Sequence, residues 1–217
     1  MLLYLLFVPY GSTTEAVEEK HRDVKMTGGQ WRTALGLAVV AASIVLSNVM
    51  ITVRIPSVVE QVGHGTAQTA GLILAAMQFV GILAGLAFSP LTQLFRDRLL
   101  LVSGVAYGLT QMLIGLSANL WMLAIVTVLA GFAYSVALTT VFNVISDQMP
   151  AGVLSQATSI AILGCSAGSI ATTFVLSLLG TVSSTSAFIF GFSGILMILV
   201  SFFGLWIVRK SGKKSCA

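Results

Sequence analysis

The spacing of its charges limits this chain more than any other feature. Asp, Glu, Lys and Arg are missing from 33 to 53, from 61 to 95, from 99 to 146 and from 148 to 208. A helix needs about 20 apolar residues, each rising about 1.5 Å, to cross about 30 Å of hydrocarbon. The first two stretches therefore hold one span each and the last two hold a pair each. Ser117-Ala118-Asn119 and the run from Thr181 to Ser186 supply the polar and small residues where each pair turns. Six spans are expected, near 33 to 53, 68 to 92, 99 to 117, 121 to 143, 156 to 180 and 187 to 208. Lipid offers the backbone no hydrogen bonds, so such spans are helical. The expected fold class is an all-α, polytopic membrane protein. Composition agrees: 8% of the 217 residues are charged, against roughly 25% in soluble domains.

The flanks are different in kind. Met1 to Tyr10, "MLLYLLFVPY", is an apolar stub too short to span, and it lacks a basic start and a small-residue cleavage site. Residues 11 to 32 form a charged linker, 33 to 208 the six-helix bundle and 209 to 217 a basic tail. Six spans put both termini on one side. That side collects Lys20, Arg22, Lys25, Arg32, Arg96, Arg98, Arg209, Lys210, Lys213 and Lys214, while the other holds only Arg54. This bias places both termini in the cytoplasm, most naturally at the plasma membrane. The net charge of +4 thus serves topology and anionic lipid, not nucleic acid. Cys165 is expected mid-span and Cys216 in a reducing compartment, which argues against a structural disulfide. His21 and His64 fall on opposite sides, so no metal site is expected, and nothing in the pattern requires a cofactor.

Two strings resemble hydrolase signatures. "GCSAG", 164 to 168, satisfies the G-x-S-x-G of a nucleophile elbow, and "GFSG", 191 to 194, resembles the G-x-S-G of rhomboid-type intramembrane proteases. Both chemistries need a histidine after the serine, and none follows His64. A hydroxyl without a base is a poor nucleophile. At about 100° per residue, Ser155, Ser159, Ser166, Ser169 and Thr173 share one helix face, while Ala157, Ala161, Gly164, Gly168 and Ala171 share nearly the opposite one. The small face suits close helix packing. The serine face either bonds back to its own carbonyls or lines a wet cavity.

The stub, the linker and six spans with both ends inside resemble, in that order, the second half of a major facilitator superfamily transporter. In "SPLTQLFRDRLLLVSG", 89 to 104, the residues Ser89, Pro90, Leu91, Phe95 and Arg98 match the weaker copy of the cytoplasmic signature of facilitators. Gln93 stands at its acidic position, Arg96 at its second glycine and Asp97 at a basic position. A basic turn obeying the positive-inside bias explains Arg96 and Arg98 equally well. "RIPSVVEQVGHGTAQTAGLILA", 54 to 75, is similar to the exit of one facilitator helix, an outer loop with Gly63 and Gly65, and a next helix opened by Gly71. The resemblance implies two inverted three-helix repeats, half of a facilitator fold, facing a partner across a central cavity. That partner is either a missing N-terminal six-helix half or a second copy of the chain. It implies a secondary active transporter working by alternating access, with drug or metabolite efflux as the fold-level analogy; a non-transporting scaffold or inactive fragment is the alternative.

By the same resemblance the first helix of each repeat lines the cavity, here the first and fourth spans. The fourth carries Gly131, Ser135, Thr139 and Asn143 at i, i+4 spacing, with Tyr134 adjacent. The first carries Asn48 and Thr52 on one face, and Arg54 toward the outer end. On the second, Gly71, Ala75, Gln78, Gly85 and Ser89 share a face. Asn48, Thr52, Arg54, Gln78, Tyr134, Ser135, Thr139 and Asn143 are the pathway candidates; Gly81, Gly85, Gly164 and Gly168 the packing candidates; Pro90, Gln93 and Arg98 the loop-motif candidates. A bare amide in hydrocarbon costs several kcal/mol, so Asn48 and Gln78 either bond to neighbouring helices or face the pathway. Arg54 either snorkels to the interface or meets an anionic solute. With no Asp, Glu or His mid-span, a small neutral or amphiphilic solute is favoured, and these spans carry no evident proton relay.

Overall fold

Charge-free, leucine-rich and alanine-rich sequence forms helices that end where a polar or conformationally special residue intervenes. A computed structural model describes residues 26–63, 65–95, 98–182 and 185–215. They form α1 Gly28–Gly63, α2 Ala67–Phe95, α3 Leu99–Gly115, α4 Leu120–Gln148, α5 Ala151–Val182 and α6 Ser186–Ser215, with no strand among the described residues. The backbone N–H of Thr27 donates to Gln30 Oε1 at 2.9 Å, the return arm of a capping box ahead of α1. At the start of α2 the Thr69 N–H donates to Thr66 Oγ1 at 3.4 Å. Ser117 to Asn119 break α3 from α4, and Asn119 sits extended at φ −132, ψ 147.

Most helices outrun the expected spans, because hydropathy marks where a helix leaves lipid and not where it stops. α1 runs 36 residues, through Arg54, Pro56 and Glu60, and takes in residues 28 to 32 of the expected linker. α2 reaches Phe95, which makes Ser89, Pro90 and Leu91 helical instead of part of a loop. The expected helix opening at Gly71 comes four residues earlier, at Ala67. α6 carries its helical backbone to Ser215, well into the expected tail. Five helices are long and apolar enough to cross a membrane. α3 has 17 residues, about 25 Å at about 1.5 Å each, the short limit of a span. The stub, most of the linker, His64, Arg96, Asp97 and Cys216 lie outside the described residues.

The interior is built around α1 and α4. Leu37, Ile44, Ile51 and Val58 are buried at seven-residue spacing on α1, as are Leu123, Ala130 and Ala137 on α4. That repeat keeps one stripe inward along a helix leaning on its neighbours. The principal pairings are α1 with α5, α2 with α4 and α3 with α6, joined by α3 with α4, α1 with α6 and α1 with α4. Exchanging α1 for α4, α2 for α5 and α3 for α6 maps this set onto itself. The fold is therefore two three-helix repeats, and an odd number of passes in each makes the second inverted relative to the first. α2 and α5 take equivalent positions on the flanks.

Candidate substrate-pathway face

Glycines set how closely the flanking helices approach. A Cβ on Gly164 would stand 2.5 Å from the Ala38 carbonyl oxygen, and one on Gly168 would collide with the Ala42 backbone. The Thr172 hydroxyl, one turn on, donates to Gly168 O at 3.0 Å and lies 3.3 Å from Leu46 O on α1. On the other flank a Cβ at Gly81 would stand 2.7 Å from Ser135 Oγ, and Gly131 abuts the backbone of Met77. Gly85 is different: an added Cβ meets nothing within 4 Å. Packing within this chain is not its role, because it lies on the uncovered side of α2.

The uncovered side is extensive on both flanks. Only 17% of the apolar window is buried in α2 and in α5, against 56% in α1 and 44% in α4. Each flank presents two adjacent strips. On α2 the exposed residues Gly71, Ala75, Gln78, Gly85 and Ser89 cluster within about 80° of arc, beside exposed Leu72, Phe79, Leu83 and Leu86. On α5 exposed Ser155, Ser159, Ser166 and Thr173 lie beside Leu163, Ile170 and Phe174. Bulky apolar side chains suit lipid. Glycines, serines and amides do not.

The pathway candidates divide. Gln78, Thr52 and Thr139 are exposed, with the Thr52 hydroxyl donating to Asn48 O at 3.0 Å. Asn48 is buried with its Oδ1 unpaired within the protein. Arg54 is half-buried, two residues before Pro56. Ser135 lies in the α2–α4 contact, and the Tyr134 ring packs on Tyr107 with centroids 5.9 Å apart. Asn143 donates to Asp147 Oδ2 at 3.4 Å in a cavity at the end of the bundle. The i, i+4 stripe on α4 does not stay on one face: each step advances about 40°, so about 120° separates Gly131 from Asn143. The stripe accordingly turns from helix contact to surface to cavity. Of the loop-motif residues, Pro90, Gln93 and Arg98 are all exposed.

Both hydrolase strings lie inside helices. "GCSAG" lies within α5 with no strand-to-helix turn, and the Ser166 hydroxyl donates to Ile162 O at 3.2 Å. The buried Ser193 donates to Ser47 Oγ at 3.1 Å, tying α6 to α1. Six helices, two inverted repeats and glycine-mediated flanks make one half of a known architecture, and the model of the Major Facilitator Superfamily matches residues 35–215. The chain belongs to the major facilitator superfamily. Facilitators are membrane transporters, not enzymes, and the membrane-spanning helices of this one place it in a lipid bilayer. No curated protein matches it.

This facilitator also buries polar groups that the sequence reading passed over. The Tyr107 hydroxyl, the Gln111 amide beside it and the Thr127 hydroxyl are enclosed, and none completes a hydrogen bond of standard geometry within the protein. The close approach of Gly108 to Gly194 sets α3 against α6 so that Gln111 lies within about a turn of Ser193. With Ser47, Asn48 and Ser193 they add to the polar side chains buried inside the facilitator bundle. The signal was present: Gln111 is an amide in a charge-free stretch, and the desolvation argument applied to Asn48 and Gln78 covers it equally.

Proposed function

We propose that this chain forms one wall of an alternating-access passage, the six-helix half that follows the central linker of a facilitator. A matching bundle, an N-terminal half or a second copy, closes the other wall. One observation carries the reading. The two symmetry-related flanks, α2 and α5, are both left uncovered, and each pairs a polar and small strip with a bulky apolar one. A bundle made only to sit in lipid has no use for the first strip; a bundle that docks a partner around a wet passage needs both. Gln78, Thr52 and Thr139 are the exposed polar candidates for meeting the solute. Their uncharged character favours a small neutral or amphiphilic solute, with efflux as the fold-level analogy. The distribution of basic residues supports cytoplasmic termini, and the membrane proposed is the plasma membrane.

The test is cysteine reactivity in membranes, on a chain with Cys165 and Cys216 replaced by alanine. Cysteines at Gln78, Ser159 and Ser166 are expected to react much faster with a water-soluble maleimide than cysteines at Phe79, Leu86 and Ile170. Equal rates on the two strips would remove the wet passage. Proteoliposomes holding the chain together with a first-half bundle, or as a crosslinkable dimer, are expected to move a neutral amphiphilic dye. A strictly monomeric chain without flux in either arrangement would sink the transport reading.

A further inference from the structure

At the end of the bundle that carries the α3–α4 turn, α1 ends, α3 ends and α6 begins around an open cavity of about 420 Å³. Small-molecule sites start at about 300 Å³. The floor is apolar: Val58 and Ile114 are buried, and Ala187 is half-buried with them in the lining. A Cβ on Gly115 would stand 3.0 Å from Phe190 Cβ and 3.1 Å from Ala187 Cα, so α3 and α6 close the cavity tightly on that side. Four polar side chains complete the lining, Gln61, Ser117, Thr185 and Ser186, and none of them carries a charge. At the exposed mouth the Ser186 hydroxyl donates to Gln61 Oε1 at 3.3 Å, which ties α1 to α6 and leaves the Gln61 amide its N–H donors. The buried Ser117 hydroxyl donates to Leu113 O at 2.8 Å, which leaves its oxygen as an acceptor.

We propose that this cavity binds the ring of a neutral polyhydroxy compound of pyranose size. A charged ligand finds no counter-charge in the lining, and an unpaired charge is costly to desolvate. The helix ends there are of opposite sign. α3 ends on carbonyls without intrahelical partners and α6 begins on N–H groups without them, so their partial charges offset one another. The ligand that fits both donates and accepts. A pyranose does so at each hydroxyl, while its C–H face matches the apolar floor. A wholly apolar ligand would leave Gln61 and Ser117 facing it without partners. None of Thr52, Gln78 and Thr139 lines this cavity, so the site is separate from the passage proposed above.

The purified chain in phosphatidylcholine nanodiscs, free of sugar-based detergent, tests this by saturation-transfer NMR with methyl glucoside, using glucuronate as the charged analogue of the same ring. Transfer to the glucoside, little transfer to glucuronate and a loss of affinity of about fivefold in Gln61→Leu are expected for loss of neutral hydrogen bonds. Ala187→Leu, which enlarges the apolar floor at the expense of the cavity, is expected to abolish transfer. Helical circular dichroism and the unfolding midpoint show which variants are folded; Gln61 is exposed, so Gln61→Leu decides the matter even where Ala187→Leu does not fold. No transfer to the glucoside, equal transfer to both rings, or unchanged binding in Gln61→Leu would overturn the proposal. A glycosyl diacylglycerol added to the nanodiscs separates two sources of the ring: loss of transfer to the glucoside identifies a lipid headgroup as the occupant, and undiminished transfer identifies a free solute.

Discussion

At the scale of single residues, glycines of the same type have opposite consequences. Gly168 stands where a side chain would meet the α1 backbone at Ala42, and a backbone cannot rotate out of the way. Gly85 stands in open space. Overpacking a tight contact costs about 1–3 kcal/mol or more when the neighbour cannot yield. Gly168→Leu is therefore expected to lower the thermal unfolding midpoint in detergent sharply or to abolish folded yield. Gly85→Ala should leave it unchanged or raise it slightly through helix propensity. Ser166→Ala, which loses only a bond to Ile162 O on an exposed face, should be mild; the reverse order of Gly168 and Ser166 would reopen the nucleophile question. The string "GCSAG" holds both behaviours because a helix deals successive residues to different faces.

At the scale of helices, what holds neighbours together is local in sequence on one side and remote on the other. The α3–α4 hairpin follows from Ser117 to Asn119, and any reading of hydropathy finds it. The tie between α1 and α6 does not follow so readily: Ser47 and Ser193 are 146 positions apart and meet at 3.1 Å in the buried interior. Interhelical hydrogen bonds in membranes average about 0.6 kcal/mol in double-mutant cycles. Ser47→Ala and Ser193→Ala should show a coupling of about that size, measured as unfolding free energy in mixed micelles, and strictly additive effects would mean that the two hydroxyls act independently. The stripe from Gly131 to Asn143 shows the limit of spacing arguments, since a step of four residues drifts about 40° each time.

At the scale of the molecule, the exchange symmetry of the two repeats places α1 and α4 centrally and leaves α2 and α5 exposed together. The wiring predicts sidedness. In sealed cells an impermeant maleimide should label Asn119→Cys, at the α3–α4 turn, and should miss Pro150→Cys, between α4 and α5, until the membrane is opened. Labelling of Pro150→Cys from outside would invert the topology, and the cytoplasmic placement of the basic residues with it.

The charge-free stretches, the six helices and the places where the two longest stretches divide into helix pairs were legible in the chain because lipid penalises charge and bare backbone strongly enough to write itself into local composition. The small face of α5 was legible because 3.6 residues per turn is a fixed geometry. Which glycine touches a neighbour, which polar residue is enclosed and where the cavity around Asp147 opens were decided only by tertiary structure. Gly85 and Gly168 present the same local chemistry to a reader of sequence, and so do Gln78 and Gln111. They differ in what stands opposite them across the bundle, and that depends on helix pairs separated by tens of residues whose register no local pattern encodes.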